Sequence, residues 1–126
     1  MSLVKPDLLY TQDHEWALVN GDQVTIGITD HAQSELGDVV FVELPEVGKE
    51  LVKGQSFGTI EAVKTVAELY APVTGTVVAI NEALADMADN VNKDPYGEGW
   101  IIKIRYSKTE EISTLLDSKS YNNFIN

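Results

Sequence analysis

Short β-prone runs, each cut off within a few residues by Gly, Asn or Pro, recur along this chain. Such a sequence never sustains the long 3.6-residue period of a helical bundle and is driven toward small antiparallel sheets. Glu15-Trp16-Ala17-Leu18-Val19 reads as one strand and Asp22 to Ile28 as the next. The intervening Asn20-Gly21 predicts a hairpin turn with both residues at positive φ. Val39 to Leu44 is a further strand, stopped by Pro45, and Gly48, Gly54 and Gly58 divide the next stretch into short pieces. Thr76 to Ile80 and Trp100 to Arg105 complete the strand pattern.

Helical signals are confined to the margins. Asp30 is expected to cap a short helix, with Gln33 as its reciprocal partner and Gly37 as its end. Asn81 is expected to cap a brief helical turn through Leu84. Asp94 to Gly99 is a loop by composition. Ser107 with Glu110 forms a capping-box pattern that predicts a C-terminal helix carrying Ile112, Leu115 and Leu116. The whole reads as a mainly β barrel or sandwich with helices at its edges. Gly37-Asp38-Val39-Val40-Phe41-Val42 echoes Gly75-Thr76-Val77-Val78-Ala79-Ile80, although chance produces such matches in β-rich chains. Residues 61 to 70 stay ambiguous. Apolar residues at 62, 66, 69 and 70 fit a helix face, and two strands turning at Val63-Lys64 fit as well.

Composition narrows the chemistry. The 126 residues suit one domain, 1–126, with about 107–126 as its C-terminal helical segment. There is no cysteine, so disulfides, thiolate metal sites and cysteine nucleophiles are excluded, and sulfur chemistry would have to come from an attached group. The formal charge is −11, from 20 acidic and 9 basic residues. That balance disfavours nucleic acid and anionic membranes as partners. It suits docking on basic protein surfaces, and it equally suits plain solubility. No apolar run has the length of a membrane span. The first ten residues lack both the apolar core of a signal peptide and the arginine-rich character of a transit peptide. The chain therefore reads as cytoplasmic, although a mitochondrial matrix protein trimmed of its transit peptide would look the same.

Several motifs carry little. His14 and His31 have no second ligand at zinc spacing and are expected to be structural or surface residues. Gly97-Glu98-Gly99 lacks the third glycine of a dinucleotide loop and precedes a strand. Trp16 and Trp100 are expected in packing roles, and the Leu115-Leu116 and Tyr121-Phe124 pairs are expected to dock the C-terminal helix. No Ser–His–acid or paired-carboxylate motif supports a small hydrolase.

Taken in order, His14-Glu15-Trp16, Gly27 to Gln33, Gly37 to Gly48, Glu61-Ala62-Val63-Lys64, Ala71 to Gly75 and Asp94 to Trp100 resemble the H protein family of the glycine cleavage system. The resemblance spans nearly the whole chain. It implies a barrel-sandwich hybrid of the lipoyl/biotinyl-carrier kind, with Lys64 at the exposed tip of a hairpin. The helical option for residues 61 to 70 then gives way to two strands. The implied cofactor is lipoic acid, attached as an amide to Lys64. The implied role is that of a non-enzymatic carrier. It would take an aminomethyl group from a pyridoxal-phosphate glycine decarboxylase to a tetrahydrofolate-dependent aminomethyltransferase. It would deliver reducing equivalents to a flavin (FAD) dihydrolipoyl dehydrogenase, and a lipoyl-attaching enzyme would load it.

The resemblance also suggests an arm cleft with Glu15 and Glu68 as cation-holding carboxylates and Ile28 and Leu36 as apolar wall. The alternative is that both glutamates are ordinary solvated charges. The sequence departs from the commoner family pattern at Ala62, where many members have Ser, and at Glu68, where many have Asp. Glu35 stands where some members have His. Rival readings are the acyl-carrying lipoyl domain of a 2-oxoacid dehydrogenase complex, a biotin carrier and a lipoyl donor or relay. The first lacks its usual linker here. The second lacks methionines beside the lysine.

Overall fold

The computed structural model describes residues 2–126. Among them, nine strands form two antiparallel sheets. The strands are β1 (Leu9–Tyr10), β2 (Glu15–Asn20), β3 (Gln23–Ile28), β4 (Val39–Glu43), β5 (Glu50–Leu51), β6 (Ser56–Ala62), β7 (Val66–Tyr70), β8 (Gly75–Ile80) and β9 (Ile102–Tyr106). One sheet runs β1-β2-β3-β9-β8-β5 and the other β4-β6-β7. Three helices, α1 (Asp30–Leu36), α2 (Asn90–Lys93) and α3 (Ser118–Ile125), join two 3-10 turns at Glu82–Ala85 and Thr109–Thr114. The mainly β barrel-sandwich expectation holds.

Alternation sets the core. In β3, Val24, Ile26 and Ile28 are buried while Gln23 and Thr25 are half-buried. In β9, Ile102 and Ile104 are buried while Arg105 is exposed. Apolar side chains from both sheets meet in one cluster, with Val24, Ile26 and Ile104 from the large sheet against Val42, Ile60 and Leu69 from the small one. A second cluster of Leu8, Tyr10, Trp16 and Tyr121 lies outside it. There Tyr10 and Tyr121 stack with ring centroids 4.5 Å apart. Trp16 lies flat over its cross-strand partner Gly27, where a methyl group would stand 2.6 Å from the indole. That contact explains why this strand position carries glycine.

Local signals need several corrections. Asn20 ends β2 and pairs with Gln23, so the hairpin loop is Gly21-Asp22. Only Gly21 has positive φ, at +64°, which is the demand of a type II′ turn, whose first position takes the glycine. The α1 cap is Thr29, one residue before the expected Asp30, and its hydroxyl accepts from the Ala32 N–H at 3.1 Å. Asp30 still meets Gln33, whose amide donates to its carboxylate at 2.8 Å. Gly37 ends the helix at φ +78°, as expected. Asn81 makes no side-chain cap; its amide instead ties the carbonyls of Glu98 and Trp100. The C-terminal segment is two pieces. A 3-10 turn ends before Leu115, Leu116 bridges to Tyr10 in extended form, and α3 then starts from an Asp117 cap. Leu116 is spent on that bridge, so it cannot sit on a helix face. The four-residue α2 is too short for any periodic signal.

The internal echo has a structural counterpart. Pairing slips between Val39 and Phe41 in β4, and between Val77 and Ala79 in β8. These are the same places in the two six-residue segments, and they fall in different sheets.

Candidate functional site

β6 and β7 pair from Ser56↔Tyr70 to Glu61↔Val66, and the chain reverses through Val63, Lys64 and Thr65. None of these three residues has positive φ, so the turn needs neither Gly nor Asn. Two backbone bonds fasten it. Ala62 N–H donates to the Thr65 carbonyl at 2.8 Å, and Val63 N–H donates to the Asp38 carbonyl at 3.0 Å. Lys64 is exposed at this tip, beside exposed Val63 and Val66, with acidic Glu61 on β6 and Asp38 just before β4 close by. The Lys64 side chain lies back across Gly37, so that a methyl group there would stand 3.4 Å from Cε. Gly37 comes directly after Leu36, the last residue of α1.

Beyond Leu36 lies a cavity of about 300 Å³, walled by α1, the β6–β7 hairpin and the residues around the start of β2. One face of α1 supplies His31, Ala32, Glu35 and Leu36. Ile60, Ala67, Glu68 and Leu69 come from the hairpin, and Asp13, His14, Glu15 and Ile28 from β2, β3 and the turn before them. Glu15, Ile28, Leu36 and Glu68 therefore share one cavity. A larger open hollow of about 710 Å³ along Glu43 to Lys49 shares no residue with it.

The two glutamates differ sharply. Glu68 is exposed, and its carboxylate accepts from the Ser56 hydroxyl. Glu15 is only 2% exposed, so it is not an ordinary solvated charge. Tyr70 N–H and the Thr11 hydroxyl donate to its two oxygens at 2.8 and 3.2 Å. Burial outweighs those bonds and pushes the Glu15 carboxyl from 4.5 up to about 8, with Asp13 adding to the rise. Glu15 therefore favours its protonated form near neutral pH.

This burial makes stability depend on pH. Between about 4.5 and 8 the unfolded chain has lost the Glu15 proton while the folded chain keeps it. The folded state binds more protons, so its stability falls as pH rises through that window. At about 1.4 kcal/mol per unit of pKa difference, the loss is a few kcal/mol at most. Glu15→Gln removes it. Thermal melts at both ends of the window are expected to show the variant gaining on wild type toward high pH, by roughly 1–3 kcal/mol. Parallel pH profiles would contradict this account of Glu15.

His14, His31 and Glu35 join the four expected residues in the cavity wall. His14 and His31 line the cavity with rings 4.8 Å apart, and His31 Nε2 lies 3.8 Å from Glu35. The spacing of residues 31, 32, 35 and 36 along one helix face is the signal that could have placed His31 and Glu35 there. Trp16 is buried and Trp100 half-buried, as packing residues should be. Tyr121 is buried while Phe124 is half exposed. Among the described residues, no group of three or more His, Asp or Glu is placed to hold a metal ion, and no helix is long and apolar enough to cross a membrane.

Two small sheets around one core, with a hairpin thrusting a lysine into solvent, define the lipoyl-domain, barrel-sandwich class of carrier fold. A family model described as glycine cleavage H-protein matches residues 8–126. The chain belongs to that family. It is 54% identical over 122 residues to the glycine cleavage system H protein of Chromohalobacter salexigens, covering 96% of this chain and 93% of that one. It is 54% identical over 126 residues to the H protein of Anoxybacillus flavithermus, covering 100% and 98%. The crystal structure of a glycine cleavage system H protein from Mycobacterium marinum superposes with a TM-score of 0.85 at 38% identity, covering 95% of this chain and 97% of that one.

Proposed function

We propose that the chain, as one carrier domain, bears lipoate as an amide on Lys64. It carries the aminomethyl group from a pyridoxal-phosphate glycine decarboxylase to a tetrahydrofolate-dependent aminomethyltransferase, and reducing equivalents to a flavin dihydrolipoyl dehydrogenase. A lipoyl-attaching enzyme loads it. An H protein is the carrier of its system and not one of its enzymes. The dithiolane supplies the disulfide and dithiol chemistry that a chain without cysteine cannot. The bacterial relatives support a cytoplasmic place of work.

The observation that carries this reading is the path from amine to cavity. Lys64 is exposed at a hairpin tip, its side chain crosses Gly37, and the cavity opens at the next residue, Leu36. The cavity suits the group. Ile28, Leu36, Ile60 and Leu69 offer an apolar wall to a hydrocarbon tether, and Glu15 and Glu68 offer oxygens to a cationic end. A cation arriving beside Glu15 favours its ionised form, and in that buried setting the charge-assisted bond is stronger than at the surface.

The experiment joins mass to function. Coexpression with a lipoyl-attaching enzyme is expected to add one lipoyl group, found on the peptide containing Lys64. The lipoylated protein is then expected to stimulate glycine-dependent release of CO₂ by purified glycine decarboxylase. Biotin in place of lipoate, or modification elsewhere, would overturn the site. No stimulation over the lipoyl-free protein would overturn the shuttle.

A further inference from the structure

Helix α3 hydrogen-bonds to the cavity wall through the Tyr121 hydroxyl. Tyr121 is fully buried, and its Oη lies 2.7 Å from Thr29 Oγ1 and 2.9 Å from His14 Nδ1. Thr29 is itself buried and caps α1, its Oγ1 accepting from the Ala32 N–H. His14 sits just before β2 at φ +66°, the one non-glycine residue of the described chain in the left-handed region. Its imidazole lines the cavity. A residue held in that conformation is over-determined by its surroundings, and such positions cluster at functional sites.

Hydrogen counting fixes the direction of the chain of bonds. Thr29 Oγ1 carries one hydrogen, and among the described residues Tyr121 Oη is the acceptor within reach of it. Thr29 therefore donates to Tyr121. Tyr121 has one hydrogen of its own, and its remaining partner is His14 Nδ1. The opposite order would leave the Thr29 hydrogen buried without an acceptor, which folded proteins rarely tolerate. His14 Nδ1 is thus an acceptor, and a neutral imidazole must then carry its proton on Nε2, at the ring edge away from Tyr121.

We propose that Tyr121 is a positioning residue that locks His14 as the neutral Nε2–H tautomer, so that the imidazole stands in the cavity wall as a hydrogen-bond donor and not as a base. The groups facing His14 are its chain neighbours Asp13 and Glu15, His31 and Glu35 on α1, and Tyr121 and Phe124 on α3. Burial and the His31 ring keep His14 below its usual pKa, against the pull of Asp13 and Glu35. For function, and resting here on the carrier reading above, a cationic amine drawn in by Glu15 and Glu68 meets at His14 a donor and not a base able to take its proton. His14 then stands in the wall without competing with the two carboxylates for that proton.

The test uses the full-length, unmodified protein labelled with ¹⁵N-histidine, read by long-range proton–nitrogen correlation at neutral pH. Wild type is expected to show His14 with an unprotonated Nδ1 and a protonated Nε2. Tyr121→Phe leaves the Thr29 cap in place. It is expected to draw the two His14 nitrogen shifts toward each other, the pattern of exchange between tautomers, while His31 keeps its own pattern. A proton on Nδ1 in wild type, or averaging already present there, would overturn the proposal. So would a variant whose His14 pattern is unchanged. The wild-type spectrum decides the tautomer even if the variant fails to fold. Neither measurement needs Lys64 modified, so a protein that resists lipoylation or leaves CO₂ release unstimulated would sink the carrier reading and not this one.

Discussion

Lys64→Arg is expected to give a folded protein that gains no lipoyl mass and stimulates no CO₂ release above the lipoyl-free control. The substitution keeps the positive charge and the reach of the side chain. It removes the one thing the proposal needs, an amine that can form a stable amide. Lys64 belongs to neither buried cluster, and the turn is held by backbone bonds from Ala62 and Val63, so stability should stay within about 0.5 kcal/mol of wild type. Intact mass and a thermal melt on the same sample separate the two effects. Modification of the Arg variant would show that another lysine is the target.

The second large effect falls on the scaffold. Gly75 opens β8 between two partners, Leu51 of β5 and Tyr106 of β9. A methyl group there would stand 2.2 Å from the Arg105 carbonyl oxygen and 2.7 Å from the Ile104 side chain. Backbone on the neighbouring strand cannot yield as a side-chain end can, so Gly75→Ala has to push β8 off β9. The expected loss is about 3 kcal/mol, the upper part of the usual cost of overpacking. That corresponds to roughly 10 °C of melting temperature. Gly48→Ala is the control. It adds a methyl group in open space, and its penalty comes only from φ at +97°. Equal melting of the two variants would contradict the steric account.

The strands were largely legible because their alternation is a local property. Val24, Ile26 and Ile28 announce one buried face whatever they pack against. The α1 cap was legible to within one residue, whereas Asn81 makes no side-chain cap and the C-terminal helix starts from Asp117 instead of Ser107. Asp30 and Thr29 both carry the side-chain oxygen a cap requires, and only the backbone decides between them. The hairpin at residues 61 to 70 was not legible locally. Its turn uses ordinary φ values, so it leaves no Gly or Asn to mark it, and only the resemblance placed Lys64 at a tip. For the cavity, resemblance named Glu15, Ile28, Leu36 and Glu68, and all four line it. It gave no sign that Glu15 is buried and Glu68 exposed. That difference arises from how α1 and the hairpin close over β2, a contact between segments far apart in sequence. The place of His14 in that wall was illegible for the same reason, since its partner Tyr121 lies 107 residues away.

The bond from Val63 to the Asp38 carbonyl moors the β6–β7 tip to the start of the neighbouring strand β4. A loop that swayed freely would add its own wandering to that of any arm mounted on it, and would dilute the arm's end through a larger volume. A moored fulcrum confines the search to the tether alone. On the proposed carrier reading, an enzyme docking on this face would meet the same short radius, and the local concentration of the arm's end would follow tether length.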